Sequence, residues 1–308
     1  MPEGGRGALV RRRTVWAALL RKEWCEQRWR FFLATVVLSG LLAGLLRAQV
    51  IPSYEAATLL YGPVGLVLVI FYAAAPVSSE RADRTWEFLT IQPVSRAEVI
   101  LTKWMTGASL LAGTMVISTV AGLVAMWSRG IRMMPQVYLA WSGGIRMMPD
   151  QYQGIGQYSP DQLATWSTTH PALALCVFGA AATITMICWF TPLYLLLARA
   201  RNEFAATLGG VFLTIAASLW LAQILIQIEP ITHGGYMGIT RVKIVVDMVA
   251  GIAMAILNPL SPLNLVLASI NAVWLPLALF ISVSVWVVLP LWWACRNSGR
   301  IIGKWVGA

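Results

Sequence analysis

Residues 79–104 read SERADRTWEFLTIQPVSRAEVILTKW, and this connecting segment lies between two long apolar runs. It contains four acidic and four basic residues: Glu80, Asp83, Glu87, Glu98, Arg81, Arg84, Arg96 and Lys103. The flanking runs, residues 58–77 and 105–127, contain no charged residue. An apolar run of about 20 residues is long enough to cross a bilayer as a helix. The connecting segment is therefore predicted to be a water-facing connection between two membrane spans.

The connecting segment is predicted to form two short helices joined by a proline turn. Ser79 is expected to cap a first helix that runs to about Thr90, because a serine hydroxyl accepts hydrogen bonds at a helix start. Pro93 is expected to end that helix, since the residue before a proline avoids helical backbone. Ser95 and Glu98 have the spacing of a capping box, which predicts that a second helix begins there. Such a segment is either an ordinary amphipathic connector or a docking element for a soluble partner.

The wording of this segment resembles the first cytoplasmic loop of type-2 ATP-binding-cassette (ABC) permeases. The matching positions are Glu80, Thr85, Glu87, Leu89, Pro93, Val94, Ser95, Arg96, Glu98, Val99 and Lys103. That family usually has a glycine before the threonine, where this chain has Arg84. The match is specific within the loop, and elsewhere the chain resembles the family in layout alone.

The resemblance implies that the chain is the membrane-spanning subunit of an ABC exporter. In that family the loop contacts a separate ATPase subunit, which binds ATP and Mg²⁺, so no cofactor is expected on this chain. The coupling residues implied by the matching positions are Glu80, Thr85, Glu87, Leu89, Pro93, Ser95, Arg96, Glu98 and Lys103. Because one chain of six spans is half of a transport pathway, a second permease chain, identical or different, is also implied.

The composition is typical of an all-α, multi-pass membrane protein. The chain has 308 residues, of which 58% are hydrophobic and 12% are charged, and its mean hydropathy is +0.70. A soluble domain usually carries about twice that charged fraction. Residues 31–308 are predicted to form a single transmembrane domain with six spans, at residues 31–46, 58–77, 105–127, 172–198, 205–228 and 272–295.

Residues 1–30 are predicted to form a basic helix at the membrane surface on the cytoplasmic side. They contain eight Lys and Arg residues, and Trp16, Leu20 and Trp24 share one helical face. Tryptophan beside basic residues suits the headgroup layer. The apolar core begins only at Phe31, much later than in a signal peptide, so a retained anchor is expected. The wording RKEW, residues 21–24, resembles the N-terminal amphipathic helix of the same permeases.

The distribution of basic residues predicts the orientation. With both termini inside, the inner segments hold 17 of the 23 Lys and Arg residues. Cytoplasmic loops carry such an excess, so both termini are expected in the cytoplasm and the chain in the plasma or inner membrane. Attraction of these residues to anionic lipid explains the net charge of +10 without a nucleic-acid partner.

Residues 229–271 leave two alternatives open. Residues 248–270 are uncharged and would serve as a seventh span, but they include Asn258, Pro259 and Pro262. A seventh crossing would also place the basic C-terminal residues outside. An outer amphipathic or re-entrant hairpin before the last span is therefore preferred, with its turn shielded by protein or facing water.

A short repeat lies in the predicted outer loop. WSRGIRMMP, residues 127–135, recurs as WSGGIRMMP at residues 141–149. Tandem duplication in a tolerant loop is the favoured interpretation. The alternative is binding of a soft metal by the paired methionines, since thioethers favour Cu(I).

The motifs of several enzyme classes are missing from the sequence. It contains no P-loop and no zinc-protease or nucleophile-elbow motif. The four cysteines have no metal-ligand spacing, so no metal and no catalytic residue is expected. The alternative to a permease is a multi-pass membrane enzyme or an assembly factor that has no ATPase partner. The apolar spans are compatible with a lipid, a drug or a hydrophobic peptide as substrate.

Overall fold

A computed structural model describes residues 4–48, 64–83, 95–128, 171–199, 240–259 and 274–299, with isolated positions at 208, 209, 212 and 262. The described residues form helices and no strand. The helices are α1 Gly4–Ala48, α2 Gly65–Asp83, α3 Arg96–Trp127, α4 Pro171–Arg199, α5 Thr240–Leu257 and α6 Leu275–Arg296. Within α6, residues Ser284–Val288 are π-helical.

Four of these helices are long and apolar enough to cross a membrane. The candidate spans are Trp16–Arg47 in α1, Arg96–Trp127, Ala172–Arg199 and Leu275–Arg296. Over the described residues, the predicted all-helical class is therefore confirmed, with four helices that suit a membrane protein. Helix α2 contributes a shorter apolar stretch, Gly65–Ala74. The predicted span 205–228 and the two WSxGIRMMP copies lie almost wholly outside the described residues, so the count of six spans stays a prediction.

Helix α1 is continuous through the point where the surface helix was expected to give way to the first span. It extends over 45 residues without a break near Arg30 or Phe31. No glycine or proline occurs between Ala8 and Ser39, so the sequence contains no residue that would interrupt the helix there. The boundary at residue 30 is thus a change of composition within one helix.

The predicted helix start at Ser79 is wrong. Ser79 lies inside α2, which runs from Gly65 to Asp83 without interruption. A capping serine needs extended backbone and backbone N–H groups without helical partners. Because the apolar helix continues into the polar residues, the preceding turn already supplies those partners. The predicted proline turn at Pro93 lies outside the described residues.

Helices α1 and α3 pack side by side and run parallel. Glu23 contacts Lys103 near one end of the pair, and Leu42 approaches Gly122 near the other. Residue numbers therefore rise in the same direction along both helices. The buried apolar face of α1 repeats at helical spacing, and its members are Ala34, Leu38, Leu42 and Leu46.

Helix α4 runs antiparallel to α3, and two glycines allow the two helices to approach closely. A Cβ atom at Gly107 would lie 2.6 Å from the Phe190 ring, and one at Gly179 would lie 2.5 Å from Thr119 Oγ1. Both are shorter than ordinary contacts between side chains. The absence of a side chain at these positions therefore sets the spacing of α3 and α4.

The polar ends of several helices meet at one end of the bundle, which we call the basic end. Arg96 Nη1 donates a hydrogen bond to Gly299 O at 3.3 Å. The Arg199 guanidinium lies over the Trp293 ring, 5.7 Å from its centre. The start of α3 and the ends of α4 and α6 therefore lie together. Through its contact with Lys103, the segment of α1 around Glu23 lies at the same end.

Helix α5 packs against α6. The indole Nε1 of Trp286 donates a hydrogen bond to Ala255 O at 3.0 Å, and Gly251 lies against the ring of Trp274. The helix ends beside Asn258, whose side chain is buried. Residues Thr240–Leu257 of the predicted hairpin region are thus a helix, and residues 229–239 and most of 260–271 lie outside the described ranges.

Candidate functional site

The C-terminal part of the connecting segment is the start of α3, and a capping box marks that start. Ser95 has extended backbone, with φ −68° and ψ 142°. Its Oγ accepts a hydrogen bond from the Glu98 backbone N–H at 3.2 Å, and its own N–H donates to Glu98 Oε2 at 3.0 Å. The capping box predicted from the sequence is confirmed. The Glu98 carboxylate is also favoured in the first turn, near the positive end of the helix dipole.

The first turns of α3, residues 96–104, make polar contacts with three other helices or their ends. We call these residues the anchoring turns. The contacts pair Arg96 with Gly299, Ile100 with Tyr194, Lys103 with Glu23, and Trp104 with Thr191. The anchoring turns therefore form hydrogen bonds or ion pairs with α1, with α4 and with the residues after α6. A displacement of this segment would act on all three.

The contact with α1 is a buried ion pair. Lys103 Nζ lies 2.6 Å from Glu23 Oε1, and the two side chains are only 2% and 4% exposed. Charges removed from water cost free energy unless they are paired with good geometry. Lys103 therefore lies inside the bundle, although it was predicted as part of a water-facing loop.

The contacts with α4 involve aromatic side chains. The Tyr194 hydroxyl donates to Ile100 O at 3.2 Å, and Trp104 Nε1 donates to Thr191 Oγ1 at 3.0 Å. The Tyr194 ring stacks on Phe190 at 5.9 Å between centres, and Phe190 covers Gly107. These contacts hold the anchoring turns against the C-terminal half of α4.

The predicted coupling residues separate into three groups. Ser95, Arg96 and Glu98 lie at the start of α3, where Ser95 and Arg96 are exposed. Lys103 is buried. Glu80 lies in the last turns of α2. The remaining positions lie outside the described residues, and they are Thr85, Glu87, Leu89 and Pro93.

Glu23 was not among the predicted site residues. Its position could have been found from periodicity, because Glu23 and Gln27 precede the buried residues Ala34 and Leu38 on the same helical face of α1. An acidic residue that continues an apolar stripe toward a basic end calls for a cationic partner. Which cation pairs with it depends on the packing of α1 on α3.

A second polar cluster joins three helices deeper in the bundle. Tyr72 OH lies 2.9 Å from Thr114 Oγ1, which lies 3.3 Å from Thr35 Oγ1. Thr114 also donates to Leu110 O at 3.0 Å. These hydroxyls connect α1, α2 and α3, and those of Tyr72 and Thr114 are fully buried.

Neither a metal-binding cluster nor a relative identifies the chemistry. In the described ranges, no group of three His, Cys, Asp or Glu side chains is arranged to hold a metal ion. The chain matches no protein-family model, no curated protein and no solved structure.

Proposed function

We propose that the chain is the permease subunit of an ABC exporter, driven by a separate ATPase subunit that contacts the exposed residues of the segment 80–103. The observation that supports this function best is the set of contacts made by the anchoring turns. A simple connector needs no bonds beyond its own two helices. Here the anchoring turns are linked by hydrogen bonds and an ion pair to α1, α4 and the residues after α6. Such links are expected of an element that transmits movement to the bundle.

Three residues at the start of α3, of which Ser95 and Arg96 are exposed and Glu98 is partly exposed, are the described part of the proposed contact surface. Arg96 and Glu98 offer one charge of each sign, and Ser95 fixes their position through the capping box. The ATPase partner would pair with them and with Glu80 and Glu87. ATP and Mg²⁺ would be bound by that partner, since this chain has no P-loop.

We further propose that the basic end faces the cytoplasm and that six spans cross the plasma or inner membrane. The aromatic and basic residues at this end support the proposal. The Arg296 guanidinium lies over the Trp292 ring at 5.5 Å, and Trp24 and Trp29 of α1 are exposed. Arginine and tryptophan together suit the lipid headgroup layer. Helix α5 would then be the first part of the outer hairpin.

A dimer is part of the same proposal. Gly40 and Gly44 lie four residues apart on an exposed part of α1. No heavy atom outside their own helix lies within 4 Å of where a Cβ atom would be. In membranes, small residues at this spacing allow the backbones of two helices to approach. This part of α1 would accommodate a second permease chain.

The test is copurification from native membranes with an ATPase that contains a P-loop. The natural chain should retain that ATPase in mild detergent. Glu80→Lys should weaken retention, because it places like charge opposite the proposed basic partner, and losses at partly buried charge contacts reach several kcal/mol. The control is Arg47→Glu, a change of two charge units in the opposite sense at an exposed residue near the C-terminal end of α1, away from the basic end.

Membrane abundance is measured for each variant. The proposal requires normal abundance of both variants and loss of the ATPase from Glu80→Lys alone. No ATPase on the natural chain, or equal retention by all three proteins, would contradict it.

A further inference from the structure

We propose that Glu23 and Gln27 are two alternative partners for Lys103, and that exchange between them accompanies sliding of α3 along α1. The inference rests on the proposed function, because movement of the connecting segment would drive the exchange. In the described state Lys103 is paired with Glu23. In the second state Gln27 would lie between the two charges, with Oε1 accepting from the Lys103 ammonium and Nε2 donating to the Glu23 carboxylate four residues before it.

The position of Gln27 is defined by its neighbours on α1. Glu23, four residues before it, contacts Lys103 of α3. Phe31, four residues after it, lies against Gly113 of α3, where a Cβ atom would be 3.2 Å from its ring. Residues four apart share a helical face. Gln27 therefore lies on the face of α1 that packs on α3, between two residues that contact α3.

The amide of Gln27 lacks hydrogen bonds in the described state. The residue is 2% exposed, and among the described residues neither Nε2 nor Oε1 has a hydrogen-bond partner. A buried amide without partners is costly. Its presence beside an ion pair is explained if Oε1 accepts a hydrogen bond from the Lys103 ammonium in another state.

The exchange requires only a short movement of the Lys103 ammonium along α1. One helical turn, about 6 Å of rise, separates Glu23 from Gln27. Lysine carries its ammonium on a flexible four-carbon chain, so part of that distance is covered by the side chain and the rest by a shift of α3. Movements of one turn between packed helices are an established form of two-state switching.

The first experiment separates this role from a structural one. Gln27→Met removes the second partner while keeping the volume, so it should raise the Tm of the purified chain by relieving the unpaired amide. It should also lower ATP hydrolysis by the permease–ATPase complex about tenfold, within the range of typical coupling free energies. The matched control is Ser39→Ala. Ser39 Oγ is also buried without a hydrogen-bond partner among the described residues, so this variant should raise the Tm without changing hydrolysis.

The second experiment needs no ATPase. Spin labels replace Arg28 on α1 and Val124 on α3, both exposed, in a chain whose four cysteines have been substituted. Because the two helices are parallel and the labels lie far apart along them, sliding changes the label distance almost directly. The natural sequence should show two distance populations, and Gln27→Met should show one. Gln27→Glu should increase the second population, since a carboxylate is a stronger partner for lysine.

The outcomes distinguish the two proposals. If no ATPase copurifies with the natural chain, the proposed function fails, and the label distances still test the exchange. A single population in the natural chain, or the same two populations in all variants, would overturn the exchange even if the ATPase binds.

Discussion

Lys103 and Glu23 are eighty positions apart in the sequence, and their charged atoms lie 2.6 Å apart in the bundle. The pair joins the last residue of the family-like motif to the helix that begins the chain. Both side chains are almost fully buried. Loss of either partner would therefore leave the other charge buried and unpaired, at a large cost in free energy.

Removing one member of this pair should destabilise the bundle strongly. Lys103→Met leaves the Glu23 carboxylate buried beside an apolar side chain, with an expected loss of about 3–5 kcal/mol. Glu23→Leu combined with Lys103→Met should recover most of that loss, since no charge then stays buried. A double-mutant cycle measured by chemical unfolding in detergent checks this. Additive losses from the two single variants would show that the charges do not interact.

Ser95→Ala should weaken the start of α3. The variant removes the hydroxyl that accepts the Glu98 N–H, and loss of such a cap costs about 1 kcal/mol. Hydrogen exchange at residues 96–99 should become faster. Ser109→Ala, at an exposed site in the middle of α3, is the control and should leave those amides unchanged. Equal exchange in both variants would mean that the cap does not hold the first turn.

Gly107→Ala should separate α3 from α4. The added methyl group would lie 2.6 Å from the Phe190 ring, so the ring must shift and its stacking on Tyr194 must change. Overpacking of this kind costs about 1–3 kcal/mol. Gly209→Ala places the same methyl group in open space and should cost little. The Tm values of both variants, with Phe190→Leu as a compensating change for Gly107→Ala, provide the measurement.

The two ends of the bundle should differ in their access to an external thiol reagent. Single cysteines at Ser95 and Ser298 lie at the basic end and should be protected in intact cells. A cysteine at Ser128, just after α3, should be modified. Permeabilised cells provide the control, because all three sites should then react. Labelling of Ser298 in intact cells would instead support seven spans.

Local signals in the sequence predicted part of the structure well. The capping box at Ser95 depends on two residues three positions apart, so the chain around it decides the geometry. The predicted span 172–198 agrees with the candidate span Ala172–Arg199, because Pro171 and Arg199 enclose an uncharged apolar run. The prediction at Ser79 used an equally local preference and was wrong, since the upstream helix continues through it.

The contacts of the anchoring turns could not be predicted in the same way. A charged residue in a polar segment is usually exposed to water, and only the packing of α1 on α3 buries Lys103 with Glu23. Similarly, Gly107 is one of many small residues in an apolar run, and its contact with Phe190 depends on how α4 lies against α3. These contacts join residues about eighty positions apart, so no local pattern in the sequence indicates them.

The length of α1 has a consequence for its reach. At about 1.5 Å per residue, the candidate span Trp16–Arg47 measures about 48 Å, close to the full thickness of a bilayer with its headgroups. The twelve helical residues before it, from Gly4, add about 18 Å. With the span placed across the bilayer as proposed, this extension would project beyond the lipid surface as a stalk, and a tilt of the span by about 20°, typical of membrane helices, would sweep its tip sideways by about a helix radius.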